Sequence, residues 1–123
     1  MKLMDLLYEI HNKAIIHDFV KFVAQTLELQ TLPKKVTFTN DSLEQTFGMY
    51  TPETEELKVY VGKRHIADIL RTLAHELVHH RQREQGMTPD GSDGSDIENE
   101  ANAMAGTLMR KYRYIHPEIY LEK

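Results

Sequence analysis

Residues 75–79 read His75-Glu76-Leu77-Val78-His79, an HExxH motif, and this run constrains the chain more than any other feature. Two histidines four residues apart share a face only when the backbone between them is helical. On a helix their imidazoles can grip one metal ion through nitrogen at ~2.0–2.1 Å. The surroundings favour a helix. Ile66, Ile69, Leu70, Leu73 and Leu77 form an apolar stripe across residues 65–85, and Gly86 followed by Pro89 stops it. The histidines lie on the other face, with Asp68, Thr72 and Gln82, so two ordinary solvent-facing histidines are the competing reading. Shuffling a chain this rich in His and Glu produces the motif roughly 3% of the time.

Composition removes other chemistries. The chain has no cysteine, which excludes disulfides, Cys-ligated metal, iron–sulfur clusters and a thiol nucleophile. Fifteen Lys and Arg against nineteen Asp and Glu give a net charge of −4, so no global field attracts nucleic acid. No stretch of ~18 apolar residues exists, so no membrane partner is expected. Asp5, Glu9, His11 and Lys13 interrupt any signal-peptide core, and a cytoplasmic protein is expected. At 123 residues a single domain over 1–123 is expected.

Elsewhere the pattern reads as α+β. Residues 2–29 carry two apolar stripes out of phase around His11–Lys13, which predicts a kink or two consecutive N-terminal helices ended by Pro33. Val36–Thr39 and Leu57–Val61 alternate as strands, and Phe47–Tyr50 is a weaker strand. Pro52 sits where a type I turn wants it, so residues 46–61 are expected to form a hairpin within a small antiparallel sheet. Thr88 to Gly94 is a polar loop. Ile97, Ala101, Met104, Ala105 and Leu108 then mark a last helix to about Tyr114.

A catalytic zinc needs a third protein ligand and an open position. A third histidine six residues after His79 would give one answer, but that position is Gln85. Glu98 and Glu100 on the last helix remain. Two residues apart is ~200°, so only one can face the metal. Periodicity does not decide between them. Ser95-Asp96-Ile97-Glu98 fits a capping box, which occupies Glu98 and leaves Glu100 for the metal. Glu76 lies between the histidines, where it can take a proton from a water that the metal activates.

The HExxH run followed by Asn99-Glu100-Ala101-Asn102-Ala103-Met104-Ala105 resembles the gluzincin metallopeptidases. Within them it is most similar to the ImmA/IrrE type, whose glutamate helix carries Glu-Ala-Asn-x-aromatic-Ala, with Met104 at the aromatic position. The resemblance covers about residues 70–108. It implies His75, His79 and Glu100 as zinc ligands, Glu76 as general base and Asn99 as the partner orienting one histidine. It also implies a minimal zincin core acting on a protein or peptide substrate. A similarity to short HExxH proteins of tailed phages would place such a chain in the host cytoplasm. The thermolysin-like enzymes have an aspartate four residues after the glutamate, where Met104 stands here. No oxyanion stabiliser is singled out among Tyr50, His80, Tyr112, Tyr114 and His116.

Weaker signals take bland readings. The Asp90–Asp96 loop lacks EF-hand spacing and reads as a connector beside the cleft. Lys63, Arg64, Arg71, Arg81 and Arg83 read as a solvated helix face, with an Asp68–Arg71 pair. The N-terminal apolar stripe reads as core, or as a dock for a partner protein. Residues 57–61 are the expected edge strand for an extended substrate. The alternative to an enzyme is an inactive zinc-binding or interaction protein with the same fold.

Overall fold

A computed structural model describes residues 3–40, 47–87 and 94–120. The order is α1 (Leu3–Thr26), β1 (Lys35–Thr39), β2 (Gly48–Thr51), β3 (Glu56–Tyr60), α2 (Ile66–Glu84), α3 (Gly94–Ile115) and a 3₁₀ turn at Pro117–Tyr120. The protein is α+β, with three helices and one small sheet among the described residues. No helix among the described residues is long and apolar enough to cross a membrane.

α1 runs unbroken through His11–Lys13, so the chain there forms one helix rather than two consecutive ones. A helix needs continuous backbone hydrogen bonds, not a continuous stripe. Phe19, Val23 and Leu27, one turn apart, anchor it in the core. It stops before Pro33. Glu28 turns left-handed at φ 54, and the amides of Glu28 and Leu29 bond the carbonyls of Gln25 and Ala24. That is a Schellman closure with a glutamate where glycine is usual. At the end of α2 the same closure uses Gly86 at φ 77, as its sequence position predicts.

The sheet is mixed, not antiparallel. Its order is β1-β3-β2, with β1 parallel to β3 and β2 antiparallel to it. The expected hairpin forms between β2 and β3. Alternation in 36–39 and 57–61 identifies strands but carries no information about partner or direction. Packing decides that. Leu57 and Val59, fully buried, take the central position against α2, with Val36 and Phe38 beside them at the β1 edge.

α2 is the spine of the core. Leu70, Leu73, Ala74, Leu77 and Val78 are fully buried between the sheet and the other helices. His65 caps its start, accepting from the Ala67 amide at 3.0 Å. Ala101 and Ala105 let α3 approach α2 closely. Tyr112 ties the far end of α3 to α1, its ring edge-on to Phe19 and its hydroxyl donating to Asp18 at 2.7 Å. The connector 88–93, expected as a polar loop, and the side chain of Ser95 lie outside the described residues.

Candidate metal centre

On the outward side of α2, His75 and His79 present their Nε2 atoms to one another at 3.2 Å. Glu98, in the first turns of α3, reaches both. One carboxylate oxygen lies 3.1 Å from His75 Nε2 and the other 3.2 Å from His79 Nε2. Four-coordinate zinc with ligands at ~2.0–2.1 Å sets neighbouring donor atoms about 3.3 Å apart. The two imidazole nitrogens have that spacing, and each meets its own Glu98 oxygen at a similar distance. One donor atom from each residue can be chosen so that all three form a triangle and lie within 4.8 Å of one another; two imidazoles with a carboxylate suit a divalent metal. His75, His79 and Glu98 therefore form a group that could hold a metal ion.

Of the two acidic residues that the sequence offers, Glu98 and not Glu100 meets the histidines. The rotation of α3 explains it. Ile97, Ala101 and Ala105 are buried against the core, and this fixes which flank each glutamate occupies. Glu98 lies on the histidine side together with Asn102, one turn on, which hydrogen-bonds His75. α3 already starts at Gly94, so Ser95 lies within the helix and is not the N-cap that the capping box needs, and Glu98 contacts the imidazoles. Glu100 instead accepts from Gln82 Nε2 at 2.9 Å.

Gln82 links these parts. It is 1% exposed. Its Nε2 also donates to the Ile97 carbonyl at 3.0 Å, so its oxygen is turned to His79 Nδ1 at 2.8 Å. An amide oxygen only accepts, so Nδ1 of His79 carries a proton, the tautomer in which a neutral imidazole offers its Nε2 lone pair to a metal. The orienting role expected of Asn99, which is exposed, belongs to Gln82, with Glu100 behind it. The signal for Gln82 was its place three residues after His79 on the same face. For His75, burial first and then neighbouring His79 hold the imidazole below its ordinary range, which keeps it unprotonated and able to ligate.

Gln82→Leu should weaken zinc binding about 10–100-fold without abolishing it, because it frees the His79 ring without removing a donor. Competition with a calibrated zinc chelator measures this. Affinity equal to wild type would remove Gln82 from the site.

Glu76 sits beside the triangle, only 7% exposed. Burial, reinforced by the charge of Glu98, pushes its carboxyl up to about 8. β2 crosses close by. A Cβ on Gly48 would stand 2.5 Å from Thr72 Cγ2 and 3.1 Å from Glu76 Oε2, so only glycine allows this approach. The edge strand beside the centre is thus β2. Residues 57–61, the edge expected from sequence, supply the central strand β3.

The five residues considered for oxyanion stabilisation are engaged in other contacts or face solvent. His80 is fully buried and joins Tyr50 Oη at 2.7 Å to the Thr31 carbonyl at 2.9 Å. Burial raises the Tyr50 hydroxyl to about 12. Tyr112 donates to Asp18. His116 lies between Asp18 and Glu118 at 3.4 and 2.9 Å, and Tyr114 is 92% exposed. Arg81 donates to Met104 Sδ, and Arg83 to the Pro52 carbonyl and Glu55. No family model, no curated protein and no solved structure matches this chain.

Proposed function

We propose that this chain is a zinc-dependent peptidase of gluzincin type, in which His75, His79 and Glu98 hold the metal and Glu76 is the general base. One observation carries the reading: two imidazole nitrogens and a carboxylate converge within 4.8 Å of one another, with a buried carboxyl next to them. Bound there, zinc supplies Lewis acidity, polarising a peptide carbonyl and making water acidic enough to ionise near neutral pH.

The chain's own residues do the rest. Gln82 and Asn102 hold the two imidazoles in the ligating orientation. Glu76 takes the proton of the attacking water and returns it to the leaving amine, so it begins and ends each turnover as carboxylate. Without metal, burial holds the carboxyl up at about 8 and protonated at neutral pH; a nearby dication would lower it and leave a carboxylate able to accept the proton. β2, an edge strand held against Thr72 and Glu76 by Gly48, supports a substrate lying extended along the cleft.

The test pairs metal content with hydrolysis. Protein purified without chelator should carry about one zinc per chain and cleave an unfolded protein such as reduced casein. Chelation should stop cleavage, and zinc should restore it. Stoichiometric zinc without cleavage would leave a zinc-binding protein. Absence of zinc, with none taken up on addition, would reduce the motif to coincidence.

A further inference from the structure

A cavity of about 560 Å³ opens at the N-terminal end of α2, and Thr72 lies on its wall. Thr72 is one helical turn before Glu76, and Gly48 packs against both, so the cavity lies one turn along α2 from the candidate general base. Its lining is cationic. Lys63, Arg64 and Arg71 stand against the one carboxylate of Asp68, in a chain whose net charge is −4. Among the described residues none of the three cations has a carboxylate within ion-pair distance, and the Asp68–Arg71 pair expected from sequence does not form.

Arg64 is fixed in place. It donates to the Tyr60 carbonyl at 2.7 Å, the Asp68 carbonyl at 3.0 Å and Thr72 Oγ1 at 2.7 Å. Its guanidinium lies 4.3 Å from the centre of the Phe47 ring. All three acceptors are neutral, so the charge is oriented but not neutralised. Three of its five N–H donors are used and two remain. Arg71 and Lys63 add donors at the exposed rim.

We infer that this cavity receives a carboxylate of the polypeptide substrate, an Asp or Glu side chain about two residues from the bond that is cut. The distance follows from the helix. The Arg64 guanidinium is level with Thr72, one turn or ~5–6 Å from Glu76. An extended chain covers ~3.3 Å per residue, so two residues span the gap. A charge-assisted carboxylate–guanidinium contact is about twice as strong as a neutral hydrogen bond. The inference rests on the peptidase reading, and a substrate's terminal carboxylate has the same chemistry.

The test uses short fluorescein-labelled peptides with a single Glu or a single Gln, each with a free or an amidated C-terminus. In the zinc-loaded wild type, kcat/KM should favour the Glu peptide about tenfold or more, mainly through KM, for both termini. Lys63→Ala/Arg71→Ala should lower the Glu-to-Gln ratio severalfold without bringing it to one, because Arg64 remains, and Arg71→Glu should lower it further. Anisotropy with zinc-loaded Glu76→Gln protein should give the same preference in Kd. A preference that follows the free terminus and not the Glu side chain would overturn the assignment to a side chain. Hydrolysis of all peptides with equal kcat/KM, unmoved by Arg71→Glu, would overturn the pocket and leave the peptidase reading standing. Glu-selective binding that Arg71→Glu weakens, with no hydrolysis by any variant, would keep the carboxylate site and overturn the peptidase reading.

Discussion

Glu76→Gln should leave zinc bound and lower kcat/KM for peptide hydrolysis by ~10²–10⁴-fold, the range that a positioned general base contributes. Glutamine keeps the shape and burial of the side chain but accepts no proton from water. The substitution therefore separates proton transfer from metal binding, since Glu76 is not one of the three triangle donors. Retained hydrolysis in a protein with one zinc per chain would refute the assigned mechanism.

The same variant makes a second, independent prediction in metal-free protein. Burial raises the Glu76 carboxyl from 4.5 to about 8 in the folded state, while in the unfolded chain it stays near 4.5. Below pH 4.5 both states are protonated and burial has no ionisation cost. Between 4.5 and 8 the unfolded state releases its proton and the folded state holds it, so stability falls as pH rises. Above 8 the loss is complete, a few kcal/mol at ~1.4 kcal/mol per unit. Chelated Glu76→Gln should therefore melt higher than chelated wild type above pH 8, and the gap should close towards pH 4.5. Coincident melting curves above pH 8 would show that the carboxyl is not isolated from solvent. Saturating zinc should shrink the gap, because a nearby dication stabilises the carboxylate.

The second large effect is loss of the metal. His79→Ala and Glu98→Ala should each abolish stoichiometric zinc in the purified protein. Zinc at ~1,000 times its Kd stabilises a folded protein by about 4 kcal/mol, so wild type should melt well above its chelated form. The two variants should show no such shift. Glu100→Gln is the informative companion. It removes a charge behind Gln82 and should weaken zinc only ~10–100-fold. The opposite order, with Glu100 indispensable and Glu98 dispensable, would restore the ligand set implied by the ImmA/IrrE resemblance. It would also require α3 to turn so far that Ala101, now fully buried, left the core.

These two glutamates mark the limit of what can be read from the chain alone. The capping-box pattern at Ser95–Glu98 is a real local preference, worth about a kcal/mol. Burial of Ile97, Ala101, Leu108 and Met109 is worth several times as much, and it sets the rotation of the helix. Burial wins, and Glu98 turns to the histidines. Gln82 is hidden in the sequence for a related reason. A glutamine three residues after a histidine is ordinary until α3 brings the Ile97 carbonyl and Glu100 to its amide. The cationic cavity reads in sequence as a solvated face, since Phe47, Tyr60 and Arg71 are far apart along the chain.

What the sequence determined by itself is whatever depends on a few neighbouring residues. The helix of the HExxH run, its stop at Gly86, the 48–60 hairpin and the pairing of His75 with His79 are of this kind, because backbone periodicity and turn chemistry act within one or two turns. The tertiary structure alone decided the unbroken run of α1, the order and direction of the strands, and which acidic residue completes the triangle. Those features depend on which side chains share one core. That sharing is a property of all the elements packed together, and no single stretch of chain encodes it.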